Sequence, residues 1–176
     1  MNGPRDDTGD IWVFGYGSLM WRPGFAHRAA APALLRGYHR AFCVTSYRHR
    51  GTRDRPGLVL GLDRGGSCRG RAYLVAATDV PAVLDYLDER ELIDYPYRRA
   101  CVPIQAAGRR VSALTYLIDF NHAQYVGRLA LEHTAEIIRG AHGISGSNPD
   151  YLRDLIAHLD ELGIADGPLH ALARLI

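Results

Sequence analysis

The sequence predicts an α+β fold. Strand-type runs fill roughly the first two-thirds of the chain, and helix-type segments flank and finish it. The strands do not alternate regularly with helices, as a doubly wound parallel sheet would require. Residues 1–10 are polar and read as a flexible N-terminus, and residues 11–176 as a single domain.

The elements follow in order. Residues 11–16 are an apolar run and read as a buried strand. Residues 36–46 mix aromatic, β-branched and small side chains and read as a second. The short apolar runs 57–62 and 70–76 flank the turn-rich DRGGSC, which predicts a hairpin. Asp79 is placed to cap a helix running to about Leu92, with Pro81 in its first turn. Residues 98–105 and 111–118 flank AAGRR and read as another hairpin. Helical spacing then governs residues 129–141, 148–162 and 168–175, punctuated by Gly143, Gly146 and Gly163.

Composition narrows the class. The 176 residues are 47% hydrophobic and 23% charged, as in an ordinary globular chain. No apolar run approaches the ~18–20 residues of a membrane helix. MNGPRDDTGD lacks the apolar stretch of a signal peptide, so a cytoplasmic protein is expected. A net charge of +2 gives no footprint for nucleic acid, and nothing in the sequence bears on oligomeric state. All basic residues are arginine, as a GC-rich bacterial genome would favour. Cys43, Cys68 and Cys101 lie far apart in apolar runs and read as small buried hydrophobes. The eight histidines show no zinc-type spacing, so no metal site is expected.

Two segments carry chemistry. In VFGYGSLMW, Gly15 and Gly17 surround Tyr16 directly after an apolar strand. Such a loop reads either as a β-turn with packed aromatics or as a cradle whose amides meet a carboxylate or phosphate. Ser18 would add a hydroxyl, and Tyr16 a wall with a polar tip. Pro23 and Gly24 preclude a long helix after it, which excludes a P-loop or a dinucleotide fingerprint. On the helix after Asp79, the apolar stripe is Val80, Val83, Leu84 and Leu87. At about 100° per residue, Glu91 falls on that stripe, Glu89 nearly opposite, and Asp85 and Asp88 on or beyond the flank. A desolvated carboxylate has a raised pKa and serves as a general base near neutral pH. The alternative is an ion pair with Arg90, Arg98 or Arg99, or exposure at a frayed helix end.

Arg36, Arg40, Arg48, Arg50, Arg53 and Arg55 crowd one region. They read as a solvated, charge-balanced loop or as clamps for a substrate carboxylate. In SGSNPDYL, Ser147 or Asn148 can cap a helix with Pro149 at its first position. Tyr151 in the first turn either packs or points its hydroxyl into a cleft.

These motifs in this order resemble the ChaC-type γ-glutamylcyclotransferases, in their bacterial branch. The resemblance runs from VFGYGSLMW through RGYHRAF, HRGTRDRPGLVLGL, GRAYLV and YLDERELIDYPYRR to SGSNPDYLRDL. Met20 stands where an aliphatic Ile is more usual, and LIDYP intervenes between Glu91 and Tyr97. The resemblance implies a small mixed β-barrel with peripheral helices. It implies cofactor-independent cleavage of glutathione to 5-oxoproline and cysteinylglycine, a lyase reaction. It places Tyr16, Gly17, Ser18 and Leu19 in the substrate-holding loop, Glu91 as catalytic base, and Tyr151 near the substrate. The alternatives are a cyclotransferase for other γ-glutamyl amides and a non-catalytic binder of small anions.

Overall fold

The computed structural model describes residues 8–176. Most of the expected flexible N-terminus, residues 1–7, lies outside them. Asp10, by contrast, is buried and holds the Ala77 amide at 2.8 Å and the Arg28 guanidinium at 3.0 Å.

Five strands close into a mixed barrel in the order β1-β3-β2-β4-β5. They are β1 (Ile11–Gly15), β2 (Ala29–Ser46), β3 (Gly57–Val75), β4 (Tyr97–Ala106) and β5 (Arg109–Ile118). β1 pairs antiparallel with β3 and parallel with β5, which makes the barrel mixed. The expected α+β class and the barrel are both present.

The chain forms two compact units. The first runs through Arg40 and resumes over Arg64–Ile118; the second holds Ala41–Asp63 and Asp119–Ile176. In the first, helix α1 (Val80–Leu92) buries Val80, Val83 and Leu87. They join Ile11, Val13, Leu19, Val75, Leu114 and Tyr116 in one apolar cluster. Strand β1 exposes no residue, because both its faces are covered. β4 and β5 form the expected hairpin in register from Tyr97↔Ile118 to Ala106↔Arg109. Ala107 and Gly108 turn it with φ of 49° and 74°, the left-handed pair that a two-residue hairpin turn requires.

The second unit packs helices α2 (Leu131–Gly140), α3 (Asn148–Glu161) and α4 (Gly167–Ala173) pairwise against one another. Leu152, Leu155 and Leu159 bury one stripe of α3 at helical spacing. Ser147 caps that helix by accepting the Asp150 amide, so Asn148 is the first helical residue and Pro149 the second. Asn148 is fully buried and instead pins strand backbone, exchanging hydrogen bonds with the Leu58 N–H and C=O at 2.7 and 2.8 Å. Two-residue strands β6 (His142–Gly143) and β7 (Gly146–Ser147) precede the helix.

Three local expectations fail. DRGGSC does not reverse the chain: residues 57–75 are one strand. Gly65 and Gly66 take φ of 92° and 68° within it, and two left-handed glycines bend a strand as a bulge does. Asp79 occupies the cap position of α1, but its carboxylate caps no amide and accepts from the Thr78 hydroxyl at 3.3 Å. Cys43 and Cys68 are buried, whereas Cys101 is exposed.

Candidate active site

The first unit assembles a site around the end of β1. After Gly15 the chain turns through Tyr16 and Gly17 into a single 3-10 turn, Ser18–Met20. The close approach begins at Gly15, where a Cβ would lie 2.9 Å from that of Leu19. The first hydrogen bond of the turn joins the Met20 N–H to the Gly17 carbonyl at 2.9 Å. The amides of Gly17, Ser18 and Leu19 precede it, as the leading N–H groups of any helical turn do. They are the donors such a turn can offer an anion.

Buried groups hold this loop from behind. Arg40, in β2, is 3% exposed. Its Nε donates to the Tyr16 carbonyl and its Nη2 to the Arg69 carbonyl, both at 2.5 Å. The solvated-loop reading of the arginine-rich region therefore fails at Arg40, which is a buried strut. Tyr73 donates its hydroxyl to the Met20 carbonyl at 2.6 Å. The Tyr16 phenol donates to the Tyr116 carbonyl at 3.2 Å and is buried with its ring. The expected polar tip of Tyr16 is thus engaged inside the fold, and the backbone of Tyr16 is its chemically useful part.

Glu91 sits in the last turn of α1 with its side chain 19% exposed. Burial pushes its pKa above the ordinary glutamate value, and the nearby Arg90 charge opposes that rise. A carboxylate in this state is a stronger base than one in water. Glu89 and Asp85 are exposed, as the helical spacing predicts. Asp88 departs from expectation. Its Oδ1 accepts the Tyr116 phenol at 2.7 Å and Arg99 Nε at 3.1 Å, and its Oδ2 pairs with Arg99 Nη2. Burial, then Asp88, raises the Tyr116 pKa, so the phenol stays protonated and donates. Sequence reasoning offered Arg99 of β4 to Glu91, whereas the structure gives it to Asp88. Tyr116 of β5 it did not connect to α1, because its separation from Asp88 leaves no local pattern.

Arg90 joins the helix end to the loop. Its Nη2 donates to Ser18 Oγ at 2.7 Å, and its Nη1 to the Arg22 carbonyl at 2.8 Å and Tyr86 Oη at 2.9 Å. Its Nε lies 3.4 Å from Glu91 Oε1. Loop and carboxylate are thereby linked through one guanidinium. The site pairs donors suited to an anion with a base suited to a proton.

Tyr151 lies in the second unit, half-buried in the first turn of α3. Its ring meets Phe42 edge-on at 5.7 Å, and the Arg50 guanidinium sits 4.9 Å over it. Also in that unit, burial and then the Asp63 charge push the Cys43 thiol up to about 12, too high for a nucleophilic thiolate near neutral pH. Among the described residues no group of three or more His, Cys, Asp or Glu side chains is placed to hold a metal ion. No described helix is long and apolar enough to cross a membrane.

Comparison with known proteins places these features in company. The family model described as ChaC-like protein matches residues 11–176. The glutathione-specific gamma-glutamylcyclotransferase of Escherichia coli is 36% identical over 169 residues, which cover 96% of this chain and 73% of the relative. That of Schizosaccharomyces pombe is 33% identical, covering 92% of this chain and 89% of the relative. A crystal structure of the yeast gamma-glutamyl cyclotransferase specific to glutathione superimposes with a TM-score of 0.85 at 25% identity, over 95% of each chain.

Proposed function

The chain belongs to the ChaC-like protein family, and from that premise we propose that it is a γ-glutamylcyclotransferase that degrades glutathione to 5-oxoproline and cysteinylglycine. The observation that carries this reading is the desolvated Glu91 carboxylate, tied through Arg90 to the Ser18 turn.

The reaction is an intramolecular aminolysis. Amides of the Tyr16, Gly17, Ser18 and Leu19 loop, with the Ser18 hydroxyl, hold the α-carboxylate of the glutamyl group. Glu91 removes a proton from the α-ammonium. The freed amine attacks the γ-carbonyl, and a carbon–nitrogen bond closes the five-membered lactam. The original amide bond breaks as Glu91 returns the proton to the departing cysteinyl nitrogen. Two protons leave the original ammonium nitrogen, one before the attack and one from the ring nitrogen after it. Glu91 passes each in turn to the leaving nitrogen, so the reaction balances without net uptake. The nucleophile belongs to the substrate, so the chemistry needs no cofactor. Holding amine and carbonyl in attack geometry supplies part of the acceleration.

Tyr151 belongs to this proposal as a substrate neighbour, and residues 11–176 as one catalytic domain, the span that the family model matches. Cytoplasmic placement belongs to it as well. The three cysteines are free thiols, which suits a reducing compartment.

The test incubates purified protein with glutathione and measures 5-oxoproline and cysteinylglycine by chromatography. Equal release of both is expected; no 5-oxoproline overturns the reading. γ-Glutamyl dipeptides run in parallel set the substrate range. Turnover of the dipeptides at or above the glutathione rate would replace glutathione with the broader class.

A further inference from the structure

We propose that Arg90 is the positioning residue of this site: it fixes the Ser18 hydroxyl as a donor to the substrate carboxylate and holds Glu91 beside the same loop. The inference rests on the function proposed above and names a residue that the mechanism has not used.

Adjacent residues on a helix diverge by about 100°, so Arg90 and Glu91 leave α1 in different directions. The length of the arginine side chain brings its head back to the site. All three guanidinium nitrogens have partners, and the strong contacts are unevenly shared. Ser18 Oγ, the Arg22 carbonyl and Tyr86 Oη lie 2.7–2.9 Å away, within ordinary hydrogen-bond range. Glu91 Oε1 lies at 3.4 Å, beyond it.

That asymmetry has two consequences. Because Ser18 Oγ accepts from Arg90, its own hydrogen is free to point away and donate to an incoming anion. A serine without that partner would have no such bias. Because the contact with Glu91 is long, the carboxylate feels the positive charge without being locked in a bidentate pair, and its proton-accepting oxygens remain usable. Tyr97 of β4 packs against the apolar cluster that α1 joins, and the neighbouring charged groups of α1 are engaged or directed elsewhere. Asp88 is bound by Arg99 of β4 and Tyr116 of β5, Tyr86 accepts from Arg90, and Asp85 and Glu89 are exposed. The charge acting against burial at Glu91 is that of Arg90.

The experiment measures 5-oxoproline release for wild type, R90K, R90Q, S18A and the double variant R90Q/S18A across pH, with circular dichroism to verify folding. Glu91 must be ionised to accept a proton, so activity rises through its pKa. R90Q removes the charge that opposes burial, and its acid limb is expected at higher pH. R90K keeps the charge at a single point, so its limb should stay while KM rises about tenfold from the lost Ser18 contact. On the high-pH plateau, R90Q/S18A should bind no worse than S18A, because Arg90 acts on binding through Ser18. An unchanged KM and acid limb in R90Q, or fully additive losses in the double variant, overturns the proposal. If R90Q does not fold, R90K decides: an unchanged KM overturns it. Wild type separates the two claims. If wild type releases no 5-oxoproline, the proposed function fails, and Arg90 is then judged by glutathione affinity in titration calorimetry, where R90K must bind more weakly than wild type.

Discussion

Replacing Glu91 with Gln keeps the shape of the side chain and removes only its capacity to take a proton. General-base catalysis contributes about 10²–10⁴-fold, and the structure argues that the full amount is lost. Asp88, one turn away, has both oxygens committed to Arg99 and Tyr116, and Glu89 is exposed, so neither carboxylate offers a substitute. The barrier should rise by about 3–5 kcal/mol, which is that factor expressed as energy. The loss should fall on kcat, because the groups proposed to bind the glutamyl carboxylate are untouched. Stability should move the opposite way. Burial raises the pKa of Glu91 in the fold, so between the unfolded and folded values the folded state binds more protons. Stability then falls as pH rises through that window. E91Q escapes this cost, so its Tm should exceed wild type at neutral pH, and the advantage should vanish below the ordinary glutamate range. The assays are initial-rate release of 5-oxoproline and thermal unfolding from pH 4 to 8. Near wild-type kcat in E91Q would refute the assignment of the base; a Tm advantage independent of pH would refute the account of its burial.

Gly15→Ala should raise KM and lower Tm, since its Cβ would stand 2.9 Å from that of Leu19 and against the loop backbone; steady-state kinetics and thermal unfolding check it. Tyr116→Phe leaves the Asp88–Arg99 pair but deletes the phenol hydrogen bond, and should cost about 1 kcal/mol in urea unfolding. Tyr151→Phe should raise KM for glutathione while leaving the aromatic packing on Phe42 intact; an unchanged KM removes Tyr151 from the substrate neighbourhood. His170 donates stability of a different kind. Its pKa is raised, first by the hydrogen bond to Asp160, so its contribution is complete below the unfolded histidine value and fades as pH rises through the folded one. H170A should therefore lower Tm at pH 5.5 relative to wild type by more than it does at pH 9, in a buffer-matched thermal scan.

What could be read from the chain is what is encoded locally. The 3.6-residue period put Glu91 on the apolar stripe with Val80, Val83 and Leu87 and turned Glu89 outward. Paired glycines after a buried run marked the loop at Tyr16, and the Ala107–Gly108 turn dictated the β4–β5 hairpin. In each case the deciding interactions lie within a few residues. Ser147 as the cap of α3 was one of two options left open, because both it and Asn148 carry a suitable oxygen. Tertiary structure chose, since Asn148 has a buried strand backbone to satisfy.

Other features depended on partners that no window of sequence contains. Gly65 and Gly66 look like a reversal, but pairing along the strand keeps β3 continuous through them. Arg40 lies among arginines of similar appearance, and distant partners, the Tyr16 and Arg69 carbonyls among them, make its burial tolerable. Asp88 is a flanking carboxylate until Arg99 and Tyr116 arrive from other strands. The loop at Tyr16 illustrates the division most clearly. Local sequence determined that a glycine-rich turn follows β1, because backbone geometry demands it. Tertiary contacts decided that the Tyr16 phenol turns to the Tyr116 carbonyl and that Ser18 faces Arg90, because a hydrogen bond to a group 70 to 100 positions away is set by how strands and helices pack.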